Sequence, residues 1–340
     1  MIYFDCDYMT GAHPEVLRRL VETNDDHTAG YGLDPYTEEA RRRILDACRL
    51  PDGGVWLLTG GTQTNAVVID RLLDRGDGVM ATADSHINVH EAGAIEADGH
   101  KVIVLPSTDG KLSAESVRRY VTDFYRDDTY PHMVRPGMVY ISFPTELGTL
   151  YSAAELEALH RVCSEFDIPL YIDGARLAYG LAASPDVTLP DIARLADVFY
   201  IGGTKCGALL GEAVVTRRPG LLPRFMTHIK RHGALLAKGR ILGVQFATLF
   251  TDDLYHRIGR HGVDMALRLR DALLDKGYRL LIDSPTNQQF PILPNALLDA
   301  LRRDVSFNLW GPRGATETPV RLVTDWSTPP AAVATLLTLL

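Results

Sequence analysis

Asp197-Val-Phe-Tyr-Ile-Gly-Gly-Thr-Lys205-Cys-Gly, and upstream of it Pro169-Leu-Tyr-Ile-Asp173-Gly-Ala-Arg176, decide how this chain folds. Each contains a short, continuous apolar run, which reads as a strand buried on both faces of a parallel sheet. Each run leads to a charged residue at or just past its carboxyl end. Open α/β sheets place their ligand chemistry just beyond the carboxyl ends of such strands. Asp173 and Lys205 are therefore expected to meet at one site.

Working outward, strand and helix signals alternate from about residue 55. Val55-Trp-Leu-Leu-Thr, Gly78-Val-Met-Ala, Lys101-Val-Ile-Val-Leu and Gly137-Met-Val-Tyr-Ile-Ser read as further strands. Between them lie the helical run Ala66 to Leu73 and a capping box, Ser152-Ala-Ala-Glu155, ahead of Leu156, Leu159 and Val162. The alternation predicts an α/β fold, a mostly parallel sheet sandwiched by helices. Gly211-Glu-Ala-Val-Val-Thr is expected to add a hairpin-paired strand.

Nearer the N-terminus, a helix is predicted from Pro14 to Asn24, and another from Glu38 to Arg49 with Thr37 as N-cap. Past residue 245, a long helical stretch to Lys276 is expected to break at Gly259 or Gly262. Short apolar runs follow, Tyr278-Arg-Leu-Leu and Thr318-Pro-Val-Arg321-Leu-Val. The resulting division is an N-terminal segment (1–40), a large domain carrying both strand ends (41–245) and a smaller α+β C-terminal domain (246–340).

Hydrophobic content of 46% and charged content of 23% over 340 residues fit a soluble globular chain. A net charge of −8 argues against a nucleic-acid or anionic-membrane partner. No apolar stretch approaches bilayer-spanning length, and Met-Ile-Tyr-Phe-Asp-Cys-Asp lacks the features of a signal peptide. Cys6, Cys48, Cys163 and Cys206 make no CxxC pair, which points to a reducing cytoplasm.

Gly60-Gly-Thr62-Gln63-Thr64-Asn65 follows a strand and opens a helix, so its free backbone N–H groups form a candidate anion site; GK[ST] and GxGxxG are absent. Asp173 has a plainer reading as a helix cap or as a partner of Arg176. Lys205 could simply reach water, but a partly desolvated lysine has a lowered pKa and becomes a competent amine for imine formation. His86 and His90, followed by Glu91, and His228 with His232 have i, i+4 spacing; neither pair carries a further ligand motif, and no metal is expected at either. An Asp at one strand end and a Lys at a later one are the pair that pyridoxal 5′-phosphate (PLP) needs, one for its pyridine nitrogen and one for its aldehyde.

Together these elements resemble fold-type I PLP enzymes, and more narrowly the threonine aldolase/β-eliminating lyase family. The resemblance covers nearly the whole chain. It rests on Tyr31-Gly-Leu-Asp34-Pro, Gly61-Thr62 with Asn65, Ser85-His86-Ile, Asp173-Gly-Ala-Arg176, the Lys205 strand and Arg321-Leu-Val-Thr-Asp-Trp. It implies that Lys205 binds PLP covalently, Asp173 pairs with the pyridinium nitrogen, His86 stacks on the ring, and Gly61 and Thr62 hold the phosphate. Arg176 is implied near the ring hydroxyl of the cofactor and, with Arg321, at the substrate carboxylate, with Cys6 and Tyr31 also in the substrate site. Lys238 is implied to reach the phosphate of a neighbouring subunit, in a homodimer or homotetramer with shared sites.

The implied reaction is cleavage of L-threonine and related β-hydroxy-α-amino acids to glycine and an aldehyde. The alternative is a β-eliminating lyase or an aryl-serine aldolase. Two positions depart from the usual family pattern. Thr145 and Glu146 stand in a loop where a histidine is common, which leaves Glu146, a water or His90 as base for the β-hydroxyl. Cys6 replaces the usual serine before Asp7.

Overall fold

The computed structural model describes Met1–Leu340 and centres on a seven-stranded sheet. Its spatial order is Gly54–Leu58, Glu212–Thr216, Val198–Gly202, Leu170–Asp173, Arg135–Ser142, Asp77–Thr82 and Lys101–Leu105. The two deciding runs are neighbours: Tyr171 lies opposite Val198 and Ile172 opposite Phe199 in a parallel ladder. All residues of both strands are buried, which is why their sequences are continuously apolar rather than alternating. Glu212–Thr216 alone runs antiparallel, pairing Val214 with Tyr200 on one side and Trp56 on the other. The expected hairpin strand is thus present, wedged inside the sheet.

Helices cover both faces. One packs through Ala40, Ile44, Leu156, Leu159, Val162, Ile192 and Phe246. The other packs through Val67, Val68 and Ile69 of the helix Gly61–Leu72, with Phe225 and Ile229. A separate C-terminal cluster joins Leu269, Leu273, Leu298, Val320, Leu322 and Leu336 around a small antiparallel sheet. Phe4 also belongs to that cluster, because Ile2–Tyr3 pairs in parallel with Val305–Ser306. No helix is long and apolar enough to cross a membrane.

Two local expectations are corrected. The helix expected after Thr37 spans Pro35–Cys48, and its cap is Asp34, whose Oδ1 accepts the Thr37 N–H at 2.8 Å. Asp followed by Pro at the first helical position is the stronger start signal, and the Thr37 hydroxyl instead donates to Asp34 Oδ2 at 2.8 Å. The C-terminal helical stretch breaks between Arg240–Leu249 and Leu254–Asp275, where Asp252 and Asp253 adopt φ of 49° and 58°. Gly259 and Gly262 stay helical. A Cβ on Gly259 would lie 2.1 Å from the Ala178 carbonyl oxygen, so glycine there lets the long helix press against Leu177–Ala183. Tyr179 on that shorter helix donates to the Lys205 carbonyl at 2.7 Å, linking helix packing to the lysine loop.

Candidate active site

A pocket of roughly 300 Å³ opens at the carboxyl ends of the parallel strands. Its lining includes Lys205, Asp173, His86, Gly61, Thr62 and Arg176. The loops behind the two deciding strands are nearly in contact: a Cβ on Gly202 would stand 2.3 Å from the Ala175 carbonyl oxygen. That close approach places an acid and an amine from different strands in one cavity.

Asp173 is 4% exposed and receives four hydrogen bonds. Tyr200 Oη (2.5 Å) and the Ala175 N–H (2.9 Å) donate to Oδ1, and Tyr140 Oη (2.6 Å) and Asn65 Nδ2 (3.0 Å) donate to Oδ2. Burial by itself raises its pKa, but these donors outweigh it and hold the carboxyl below its usual range. It is neither a helix cap nor a partner of Arg176, the two plainer readings of the sequence. For Lys205, burial is the largest influence and lowers the pKa; Arg176 adds to this, while Asp7, Asp173 and Glu212 oppose it. Glu212 lies at the pocket wall, where burial pushes it up to about 7 against the pull of Lys205. Its Oε2 accepts the Gly203 N–H at 3.0 Å.

Asn65 bridges two buried acids. Its Nδ2 donates to Glu91 Oε1 at 2.7 Å as well as to Asp173, while its Oδ1 accepts from Tyr171 Oη at 2.9 Å. Glu91 Oε1 also meets His86 Nδ1 at 2.7 Å, so the imidazole is oriented from behind by a carboxylate. Burial raises the Glu91 pKa, and its Oε2 has no hydrogen-bond partner. The His86 backbone N–H donates to Glu146 Oε1 at 2.9 Å, and Ser142 Oγ donates to the same oxygen at 2.7 Å. Glu146 lines the pocket, with its pKa raised chiefly by burial. His90 does not line it; its ring centroid lies 5.5 Å from that of His86.

Gly60 precedes the helix Gly61–Leu72 without a capping side chain, so the first N–H groups of that helix are free to meet an anion. Arg176, which also lines the pocket, grips Asp7 through two bonds, Nε to Oδ2 at 2.7 Å and Nη2 to Oδ1 at 3.0 Å. Asn287 Nδ2 donates to the same Asp7 at 3.0 Å. Arg321 lies over Trp310, 5.2 Å from its ring centroid, with a buried and unpartnered Nε. Burial lowers the Arg321 pKa and Arg176 lowers it further, while Asp7, Tyr8 and Cys6 oppose this. The two guanidiniums thus feel one another; Arg176 and Tyr8 line the pocket, whereas Arg321 and Cys6 do not. Tyr31 and Lys238 lie elsewhere: Lys230 sits over the Tyr31 ring at 4.8 Å, and Lys238 borders a separate groove with Ala29 and Gly30.

Sequence reasoning gave no role to Glu212 or to Tyr140, Tyr171 and Tyr200. The tyrosines sit within apolar strands, where an aromatic residue reads as core. The only available signal was three tyrosines on three strands that prove adjacent.

The family model described as Beta-eliminating lyase matches residues 4–290. A low specificity L-threonine aldolase of Pseudomonas sp. is 29% identical over 343 residues, covering 98% of this chain and 95% of that protein. The solved structure of Leishmania major threonine aldolase is 40% identical with a TM-score of 0.96, covering 99% of this chain and 98% of that one. Thermus thermophilus aspartate aminotransferase is 17% identical but shares the fold, with a TM-score of 0.70 over 100% of this chain and 92% of its own. Matches along nearly the full length, on a sheet whose strand ends collect an acid, an amine and an anion cradle, lead to one assignment: the chain belongs to the beta-eliminating lyase family, on the fold-type I architecture.

Proposed function

We propose that this chain is a PLP-dependent aldolase that cleaves L-threonine and related β-hydroxy-α-amino acids to glycine and an aldehyde. The observation that carries the reading is Asp173, a buried carboxylate with four neutral donors, no ion pair, and an open pocket before it. A protonated pyridine nitrogen is the cation such a group fits. The depressed pKa of Lys205 and the uncapped helix start fit the aldehyde and the phosphate of the same molecule. The activity named for the 29% and 40% identical relatives supports the choice of reaction.

Bound PLP supplies an electron sink for the pair released as the Cα–Cβ bond breaks. In this reading Lys205 would hold the cofactor through its Nζ, and Asp173 would keep a proton on the ring nitrogen. The N–H groups of Gly61 and Thr62 would bind the phosphate. His86, held by Glu91, would cover one face of the ring. Arg176 and Arg321 take the substrate carboxylate, which orients the scissile bond. Glu146 would accept the proton of the β-hydroxyl; burial raises its pKa, which makes it a stronger base than a free carboxylate. Tyr31 and Lys238, which do not line their own pocket, would serve the site of a second copy, in a cytoplasmic homo-oligomer.

Purified protein incubated with L-threonine should release equimolar glycine and acetaldehyde, and Lys205→Ala should abolish both this and the visible absorbance of bound cofactor. A yellow, PLP-loaded wild type that releases neither product would refute the reading. Pyruvate and ammonia in their place would move the assignment to β-elimination. A monomeric, fully active protein would refute the shared site.

A further inference from the structure

A second cluster of titratable groups lies at the far end of the helix whose first turn faces the pocket. Asp70, near the end of Gly61–Leu72, is surrounded by three imidazoles and a second carboxylate. His232 Nε2 lies 3.2 Å and His228 Nδ1 3.5 Å from Asp70 Oδ2, and His100 Nε2 lies 3.8 Å from Asp70 Oδ1. One donor atom from each of Asp70, Asp98 and His232 falls within 4.8 Å of the others.

The hydrogen bonding there is incomplete. His100 is 4% exposed, yet neither ring nitrogen has a hydrogen-bond partner. His228 Nδ1 is also buried and unpartnered. Buried imidazole nitrogens are ordinarily satisfied by a donor, an acceptor or a metal. In a tetrahedral site with bonds of about 2.0–2.1 Å, neighbouring ligand atoms stand roughly 3.3 Å apart. The Asp70–His232 separation of 3.2 Å is close to that value, and Asp98 offers a third donor atom within 4.8 Å of both. His232, which carried no metal expectation in the sequence, is joined there by acids from two other segments.

We propose that Asp70, Asp98 and His232 bind one divalent first-row metal ion of the Zn²⁺ class, with the unpartnered His100 beside Asp70 as a further donor. Imidazole and carboxylate donors suit such an ion. Arg231 now pairs with Asp70, but its side chain is 59% exposed and can turn to water at little cost. The His232 carbonyl also accepts from Gln63 Nε2 at 3.2 Å, on the first turn of the same helix. The ion would therefore pin the segment Phe225–His232 to both ends of the helix that lines the pocket.

The test uses holoprotein stripped with a chelator, titrated with Zn²⁺ alone and counted by elemental analysis. One equivalent per chain is expected, with a rise in melting temperature. Asp98→Asn/His232→Gln should weaken binding at least about tenfold, since even outer-shell changes cost 10–100-fold, and should abolish the melting shift. If that double variant does not fold, Asp70→Asn, which keeps the shape, reads the same loss. Failure of the wild type to take up one equivalent, or unchanged binding in the folded variants, would overturn the site.

Discussion

Glu212→Gln tests the electrostatics of the pocket without removing a shape or an acceptor. Burial raises the Glu212 pKa from 4.5 to about 7. An acid whose folded pKa is raised keeps its proton in the native state after the unfolded chain has lost it. Stability therefore falls as pH climbs from the unfolded pKa toward the folded one, and the full cost is present above about 7. Integrating between pH 5 and pH 7.5 gives roughly 2–3 kcal/mol of lost stability from this group. Glutamine has no charge to desolvate and can still accept the Gly203 N–H. Urea unfolding of the cofactor-free protein at both pH values, in wild type and variant, isolates the term because other titrations largely cancel in the difference. The variant should lose about 2–3 kcal/mol less than wild type over that interval. Parallel pH dependences in the two proteins would refute a buried, proton-retaining Glu212.

Two further substitutions probe the frame of the site. Asp7→Asn strips the carboxylate from Arg176 inside a closed pair and should destabilise the protein by about 3–5 kcal/mol in urea at neutral pH; a loss below 1 kcal/mol would show the pair to be dispensable. Gly259→Ala drives a Cβ into the Ala178 carbonyl oxygen, and overpacking of this kind costs about 1–3 kcal/mol or more. Because Tyr179 supports the Lys205 backbone, the same variant should lower PLP retention, measured by absorbance after gel filtration. Full cofactor content with reduced stability would uncouple the two.

The parts of this molecule that were legible in sequence are those in which a local pattern meets a local need. Fully buried strands force continuous apolar runs, and strand ends and helix starts carry Asp173, Lys205 and Gly61 at readable positions. What escaped depends on contacts between distant segments. Tyr140 and Tyr200 become polar ligands only when their strands flank Leu170–Asp173 in the sheet. Glu212 looks like an ordinary charge until its strand is wedged between two others. Gly259 reads as a helix breaker because sequence cannot reveal the helix pressed against it.

The pairing of Ile2–Tyr3 with Val305–Ser306 sets an order of assembly. Ile2 and Tyr3 have no strand partner until some three hundred further residues have been synthesised, and Asp7, five positions on from Ile2, must still reach Arg176. Closing so large a loop is entropically slow, and such contacts form late. The central sheet can collapse around its own core while the chain is still emerging, but the side of the pocket built on Asp7 and Arg176 cannot be completed so early. A nascent or C-terminally truncated chain would therefore hold its strands and lack its specificity, gaining a working site as one of its last folding events.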